Sequence, residues 1–261
     1  MPKEIQNIII IGSGNVAYHF ISAFSGKNLR VMQILARNED TASRLSAKFG
    51  IPYITNPAQM NREADLYILA VQDDQIREAA KSLHLRDQLL VHTSGFTPIE
   101  VLQGTSGHTG VIWPLQTLTA GVETDYNRIP FFIESNTGEM SESLLHLMHK
   151  ISKEVYPADS GTRQMIHLGA VVSSNLVNHL YVQAFEILEK SGIPFHVLHS
   201  LIRETAEKAC IRNPQENQTG PAARNDLKVI EKHLELLRNN PEFQEIYRRI
   251  STNIIHHSKN P

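Results

Sequence analysis

Ile8-Ile9-Ile10-Ile11-Gly12-Ser13-Gly14-Asn15-Val16-Ala17 is the stretch from which the fold can be read. Its isoleucines continue from Asn7 as a β-branched run, the composition of a buried strand, and Gly12 ends it. From Val16 to Phe24 the apolar residues recur at helical spacing. The bend between strand and helix fits G-x-G-x-x-G/A, with Ala17 in the third small place. The first glycine allows the tight turn, the second lets the backbone approach a pyrophosphate, and the third small residue lets the helix lie close to the strand. The helix start then offers free N–H groups and a partial positive charge to phosphate. Because the bend directly follows a strand and opens a helix, Gly12, Ser13, Gly14, Asn15 and Val16 are expected to hold the diphosphate of a dinucleotide. The competing reading is a tight strand–helix turn that binds nothing.

Working outward, the same alternation continues. Further strands are expected at 30–36, 53–55, 65–71, 88–92, 110–113, 130–134 and 153–156, with helices at 41–49, 75–83 and 141–151. Strands alternating with helices call for a parallel sheet covered on both faces. After about residue 158 no clear strand follows. Helices are expected at 161–190, 195–211, 225–237 and 241–256, broken by Ser191-Gly192, Pro194 and the polar loop 212–221. The middle of the first is apolar nearly all round (Leu168, Ala170, Val171, Val172, Leu176, Val177, Leu180), the pattern of a buried helix. The expected plan is an α/β fold: a Rossmann-type, mainly parallel sheet in a cofactor-binding domain, 1–157, followed by an all-α domain, 158–261.

Composition narrows the function classes. Twenty-five Lys+Arg stand against 27 Asp+Glu, a net charge of -2, so no basic excess exists to hold nucleic acid. A single cysteine, Cys210, leaves no internal disulfide to form. The apolar run near the start is too short for a secretion signal or a membrane span, so a soluble cytoplasmic protein is expected.

In open α/β sheets ligands lie beyond the carboxyl ends of the strands. The second strand ends at Leu35-Ala36-Arg37-Asn38, where NAD-binding folds usually carry an acidic residue for the ribose hydroxyls. An arginine there suits a 2′-phosphate, so Arg37 with Asn38 favours NADP. In the alternative, Arg37 is a solvated loop charge and Glu39 or Asp40 takes the ribose. Val71, Gln72 and Asp73 end one strand, Ser94 and Gly95 follow the next, and both segments are expected to border the nicotinamide ribose. Asp73 or Asp74 could equally cap the following helix.

A resemblance now becomes visible. Ala70-Val71-x-Asp73, His92-Thr93-Ser94-Gly95, Pro114-Leu115-Gln116-Thr117, the segment from His167 to Asn175, and the segment from Thr219 to Asp226 together resemble bacterial NADP-dependent oxidoreductases of unknown substrate. These belong to the 6-phosphogluconate dehydrogenase-like superfamily, and pyrroline-5-carboxylate reductase and the deazaflavin-dependent NADP oxidoreductases are similar in pattern. The resemblance covers essentially the whole chain. It implies hydride transfer and a helical domain that builds a small-molecule substrate pocket over the nicotinamide, commonly within a homodimer. Several relatives carry a lysine four residues before the asparagine of the long helix; here Val171 stands four before Asn175. Trp113-Pro114 and Asn225-Asp226 also depart from the His-Pro and Gly-Asp of close relatives, which points to a specialised or impaired pocket.

His167 lies one turn before Val171. In an unbroken α-helix, positions 167, 171 and 175 drift by ~40° per four residues, so His167 and Asn175 share a face about 12 Å apart. His167 is then the candidate proton donor and Asn175 its catalytic companion. Arg224, expected at a helix start, is the candidate clamp for a substrate carboxylate, and Gln116 a further substrate contact. For each there is a plainer alternative: a histidine satisfied in the core, an amide bonded to nearby backbone, a solvated charge. No metal site is expected, because the pairs His146/His149 and His196/His199 and the adjacent His256-His257 lack a third ligand at recognisable spacing. The functional expectation is reduction of a small carbonyl or imine by NADPH. The alternatives are a non-catalytic NADP(H)-sensing protein and another enzyme class on the same scaffold.

Overall fold

The structure is a computed structural model, and it describes residues 4–259. Its centre is an eight-stranded sheet in the order β3-β2-β1-β4-β5-β6-β7-β8. The strands are β1 (Asn7–Ile11), β2 (Arg30–Leu35), β3 (Tyr53–Ile54), β4 (Leu66–Leu69), β5 (Leu89–His92), β6 (His108–Pro114), β7 (Phe131–Ser135) and β8 (Val155–Pro157). All neighbouring pairs run parallel except β6 with β7. The strand order reverses at β1, between β2 and β4, which opens a crevice at the carboxyl ends of these strands.

The isoleucine run shows why it must lie in the middle. Ile8 and Ile10 pack in one core cluster with Phe20, Phe24 and Leu45, from α1 (Asn15–Phe24) and α2 (Glu39–Phe49). Ile9 and Ile11 point to the opposite face, against Ile76, Ala80 and Leu83 at α3 (Ile76–Ser82). Side chains alternate along a strand, so a run apolar on both sides fits only where both faces are covered. A further helix, α4 (Gly138–His149), adds Leu144 and Met148 to the first cluster.

The helical part contains α5 (Ser160–Ala170), a π-helical turn (Val171–Leu176), α6 (Val177–Lys190), α7 (His199–Ile211), α8 (Leu227–Leu236) and α9 (Pro241–Lys259). Two corrections arise here. The expected single α-helix from 161 to 190 is interrupted by the π-turn, whose i→i+5 bonding takes an additional residue per turn. The face argument, built on 3.6 residues per turn, therefore does not carry from position 167 to 175. The apolar stretch is also not buried: Leu168, Val172 and Leu176 are each half or more exposed.

The chain divides into two compact units after Ser173, so α5 groups with the sheet. In the second unit the buried apolar side chains, among the described residues, are Ala222 and Ile230. Leu176, Phe185, Val197, Leu201, Ile211 and Leu236 of that unit all face outward. No described helix is long and apolar enough to cross a membrane.

Candidate active site

The bend after β1 is built on a close approach. Gly12 has φ +121°, and a Cβ there would lie 2.2 Å from the Ala70 carbonyl oxygen. Its amide donates to the Leu35 carbonyl at 2.8 Å, so the bend is pinned between β2 and β4. Gly14 occupies the position before α1 with no side-chain cap, and no acidic residue stands in the first turn. The first-turn amides are thus free of protein partners from capping side chains, the condition under which a helix N-terminus binds an anion. A Cβ on Gly14 would meet nothing within 4 Å, which leaves the backbone open to a ligand. Ala17, fully buried, lets α1 lie on the strand.

A cleft of about 610 Å³ opens over this bend. That volume falls in the range of small-molecule and cofactor sites, about 300–1,000 Å³. Gly12, Ser13, Gly14, Arg37, Asn38, Val71 and Gln72 line it; Asn15, Val16, Asp73, Ser94 and Gly95 do not. Asn15 holds a neighbouring loop instead, its Oδ1 accepting from the Ala120 amide at 3.1 Å. His19 of α1 anchors that loop as well, through the Thr119 carbonyl at 2.9 Å and the Tyr126 hydroxyl at 2.8 Å.

At the end of β2 the side chains separate by role. Asn38 caps α2, its Oδ1 accepting from the Thr41 amide at 3.1 Å. Glu39 accepts from the Tyr53 hydroxyl at 3.2 Å. Arg37 is exposed and donates to the Gln75 Oε1 on the opposite wall of the cleft. Thr41 and Gln75 were not among the expected site residues. Thr41 lies 2.5 Å from the Ser13 hydroxyl and joins the glycine bend to α2. The capping spacing Asn38-x-x-Thr41 was the available signal for Thr41. Gln75 offered none, because its partner lies 38 positions away.

Asp73 is not an N-cap. It begins the 3-10 turn Asp73–Gln75, whose cap position is Gln72, and its carboxylate accepts from the Ser94 hydroxyl at 2.6 Å. Ser94 also accepts from the Thr97 amide at 2.9 Å, closing the turn after β5. Gly95, next in line, has no room for a side chain. A Cβ would come within 2.5 Å of the Trp113 ring and 2.7 Å of the His167 Cδ2. The ring of His167 is 5.8 Å from that of Trp113 and 6.1 Å from that of Phe96. Two expected site segments more than 70 positions apart thus touch, with the tryptophan as third member. Neither ring nitrogen of His167 is hydrogen-bonded among the described residues, so the imidazole is available to a ligand.

Arg163, one turn before His167, explains how α5 is held there. It is fully buried; its Nη2 donates to the Thr97 carbonyl at 2.9 Å and to the Glu134 carboxylate at 3.0 Å. Ser160 bonds the same carboxylate and accepts from the Ile99 amide at 3.0 Å, and Gln164 donates to the Phe96 carbonyl at 2.9 Å. The start of α5 is therefore latched to the 94–99 segment. Beneath this latch, burial and then the Arg163 charge push the His92 imidazole down to about 3, so it stays neutral, accepting the Ser94 amide on Nδ1. An unfolded chain binds a proton at this residue from about pH 6.5 downward, whereas the folded one resists until about 3. Stability contributed by neutral His92 is present above pH 6.5 and declines as pH falls toward 3. His92→Leu should flatten that acid limb by about one proton's worth of slope in pH-dependent urea denaturation.

The remaining candidates are Gln116, Asn175 and Arg224. Gln116 is exposed and its Oε1 accepts from the adjacent Thr117 amide at 2.9 Å. Asn175 is exposed within the π-turn. Arg224 is exposed but does not start a helix: α8 begins at Leu227 with Asp226 as cap, its Oδ1 accepting from the Val229 amide at 3.2 Å. Asn225 has φ 55°, a left-handed conformation that asparagine tolerates. Among the described residues no three His, Cys, Asp or Glu side chains gather as a metal site, and Cys210 is exposed.

The sheet order, the cleft at its switch point and the uncapped helix start define a dinucleotide-binding protein of Rossmann type. Residues 7–94 match the family described as NADP oxidoreductase, coenzyme F420-dependent, and residues 129–254 match a domain of unknown function, DUF2520. A chain from Bacteroides fragilis named "putative NADP oxidoreductase" is 37% identical, with 97% of this chain and 98% of that one aligned at a TM-score of 0.89. This protein belongs to that oxidoreductase family, in which an NADP-oxidoreductase domain is joined to the DUF2520 domain. A protein from Thermotoga maritima shares the fold at 22% identity and TM-score 0.81, over 97% of this chain and 100% of its own. So does 1-pyrroline-5-carboxylate reductase from Streptococcus pyogenes, at 15% identity and TM-score 0.63, over 98% of each chain. No curated protein matches. The family resemblance drawn from the sequence motifs holds.

Proposed function

We propose that this protein is an NADP(H)-dependent oxidoreductase that reduces a small carbonyl or imine. The observation that carries the reading is the bend at Gly12: a pinned, positive-φ turn that aims an uncapped helix start into a cleft whose β2 wall offers Arg37 rather than an acid. The amides at the start of α1 fit a diphosphate, and Arg37 fits the 2′-phosphate that separates NADP from NAD. Asn38 serves the 2′-phosphate from its cap position, and Val71, Gln72, Asp73, Ser94 and Gly95 border the nicotinamide ribose. A bound dihydronicotinamide supplies the hydride.

The chain's own residues handle the proton. His167, beside Gly95 and with both ring nitrogens free, donates a proton to the carbonyl oxygen or imine nitrogen as it is reduced. Trp113 and Phe96 flank the imidazole and keep water from one side of it. Gln116 is a further candidate for substrate contact in the first unit, and Asn175 and Arg224 are the candidates of the second. The functional division is 1–157 for the cofactor and 158–261 for substrate and dimerisation. A homodimer supplies the cover that the outward-facing Leu176, Phe185, Val197 and Leu201 lack, because helices this apolar are not left in water. Such a protein works in the cytoplasm, with no nucleic acid or membrane partner.

Titration with NADPH and NADH tests the cofactor. The wild type should favour NADPH, and Arg37→Ala should weaken NADPH by about 10- to 150-fold, the worth of charge-assisted hydrogen bonds, while changing NADH little. An unchanged preference in Arg37→Ala rules out this role for the arginine.

A further inference from the structure

The Arg37 guanidinium does not stand alone in the cleft. Its Nη2 donates to Gln75 Oε1, and the amide nitrogen of Gln75 donates in turn to Gln72 Oε1 at 3.2 Å. Arg37 follows β2 and Gln75 follows β4, while β1, with its glycine bend, lies between these strands in the sheet. The chain of side chains therefore joins one wall of the cleft to the other across the switch point. All three residues line the cleft.

We infer that Gln75 is a positioning residue that sets cofactor selectivity, by holding the Arg37 guanidinium ready for the 2′-phosphate; this rests on the cofactor reading above. The chemistry is specific. A guanidinium has five N–H donors and two bidentate edges, Nε with Nη2 and Nη1 with Nη2; Gln75 takes one hydrogen of Nη2, which leaves the edge that uses the other Nη2 hydrogen for a bidentate phosphate. The glutamine carbonyl can accept from arginine but carries no charge to repel a phosphate. Its own orientation is not free: with the NH2 end engaged by Gln72, the carbonyl end must face Arg37. An exposed arginine otherwise loses much rotamer freedom when it binds. Fixing it beforehand lowers that cost for the 2′-phosphorylated cofactor alone, since a ligand without the phosphate makes no use of the guanidinium fork. Glu78 lines the same cleft one turn further along α3, so a displaced Arg37 has a carboxylate nearby to pair with instead.

Dissociation constants for NADPH and NADH, read from quenching of the single tryptophan and checked by calorimetry, test this directly in the full-length protein. Gln75→Leu keeps much of the side-chain bulk, one atom shorter, and removes the acceptor. It should weaken NADPH by about 3- to 10-fold and NADH by less than 2-fold. Gln75→Glu keeps the acceptor and adds a charge. It should cost NADPH more than Gln75→Leu does, with the loss growing at low salt, because the carboxylate both neutralises Arg37 and repels the phosphate. In an Arg37→Ala background, Gln75→Leu should have no further effect on NADPH. Equal losses for both cofactors would overturn the inference, as would tighter NADPH binding by Gln75→Leu or an undiminished effect in the Arg37→Ala background. Failure of the cofactor reading itself looks different: Arg37→Ala alone would then leave the NADPH preference in place.

Discussion

Replacing Gly12 with alanine should abolish dinucleotide binding. The residue sits at φ +121°, where an L side chain is strained by about 1–3 kcal/mol, and the new Cβ would lie 2.2 Å from the Ala70 carbonyl oxygen. That oxygen belongs to backbone that cannot yield easily, because the Ala70 amide is bonded to the Ile11 carbonyl at 2.7 Å. Either β1 and β4 part at their carboxyl ends or the bend turns away, and both outcomes misdirect the amides at the start of α1. The expected result is at least a 100-fold loss of NADPH affinity with a melting temperature lower by roughly 2–4 °C per kcal/mol of strain. Gly14→Ala separates binding from folding. Its Cβ meets nothing within 4 Å, so the melting temperature should hold while the methyl group obstructs the approaching phosphate. Wild-type affinity in Gly12→Ala would remove the cofactor site from this bend.

His167→Ala should lower kcat by about 10²- to 10⁴-fold, the usual contribution of a positioned proton donor, with NADPH affinity within 2-fold of wild type. A substrate must first be found by screening NADPH consumption against keto acids, cyclic imines, aldehydes and deazaflavins. Because Trp113 is the chain's one tryptophan and its ring lies against His167, its emission should shift in His167→Ala. That gives a check on the contact that does not depend on turnover. Undiminished turnover in His167→Ala would transfer proton donation to another group. NADPH binding with no oxidation across the whole panel would favour the sensing alternative.

Much of the molecule was legible before its structure. The isoleucine run, Gly12, Gly14 and Ala17 can be placed from the sequence because strand, turn and helix start are local, and local chemistry leaves marks at fixed spacing. Arg37 was legible for the same reason, as the residue at the end of β2. The long helix misled on two counts. Its periodicity assumed 3.6 residues per turn, and nothing in Val171-Val172-Ser173-Ser174-Asn175-Leu176 signals a π-turn. Its apolar faces were read as core, yet an apolar pattern says only that a surface avoids water and is silent on whether the same chain covers it.

What the sequence determined by itself is the Rossmann-type α/β fold, the glycine bend after β1 and the nucleotide class of cofactor, since each depends on neighbours along the chain. The tertiary structure alone decided that Gly95, Trp113 and His167 meet, that a buried Arg163 latches α5 to the 94–99 segment, and that Gln75 reaches Arg37. These contacts join residues 18 to 72 positions apart, and which distant side chains converge is set by the packing of whole elements against the sheet, a property no spacing within a single element records.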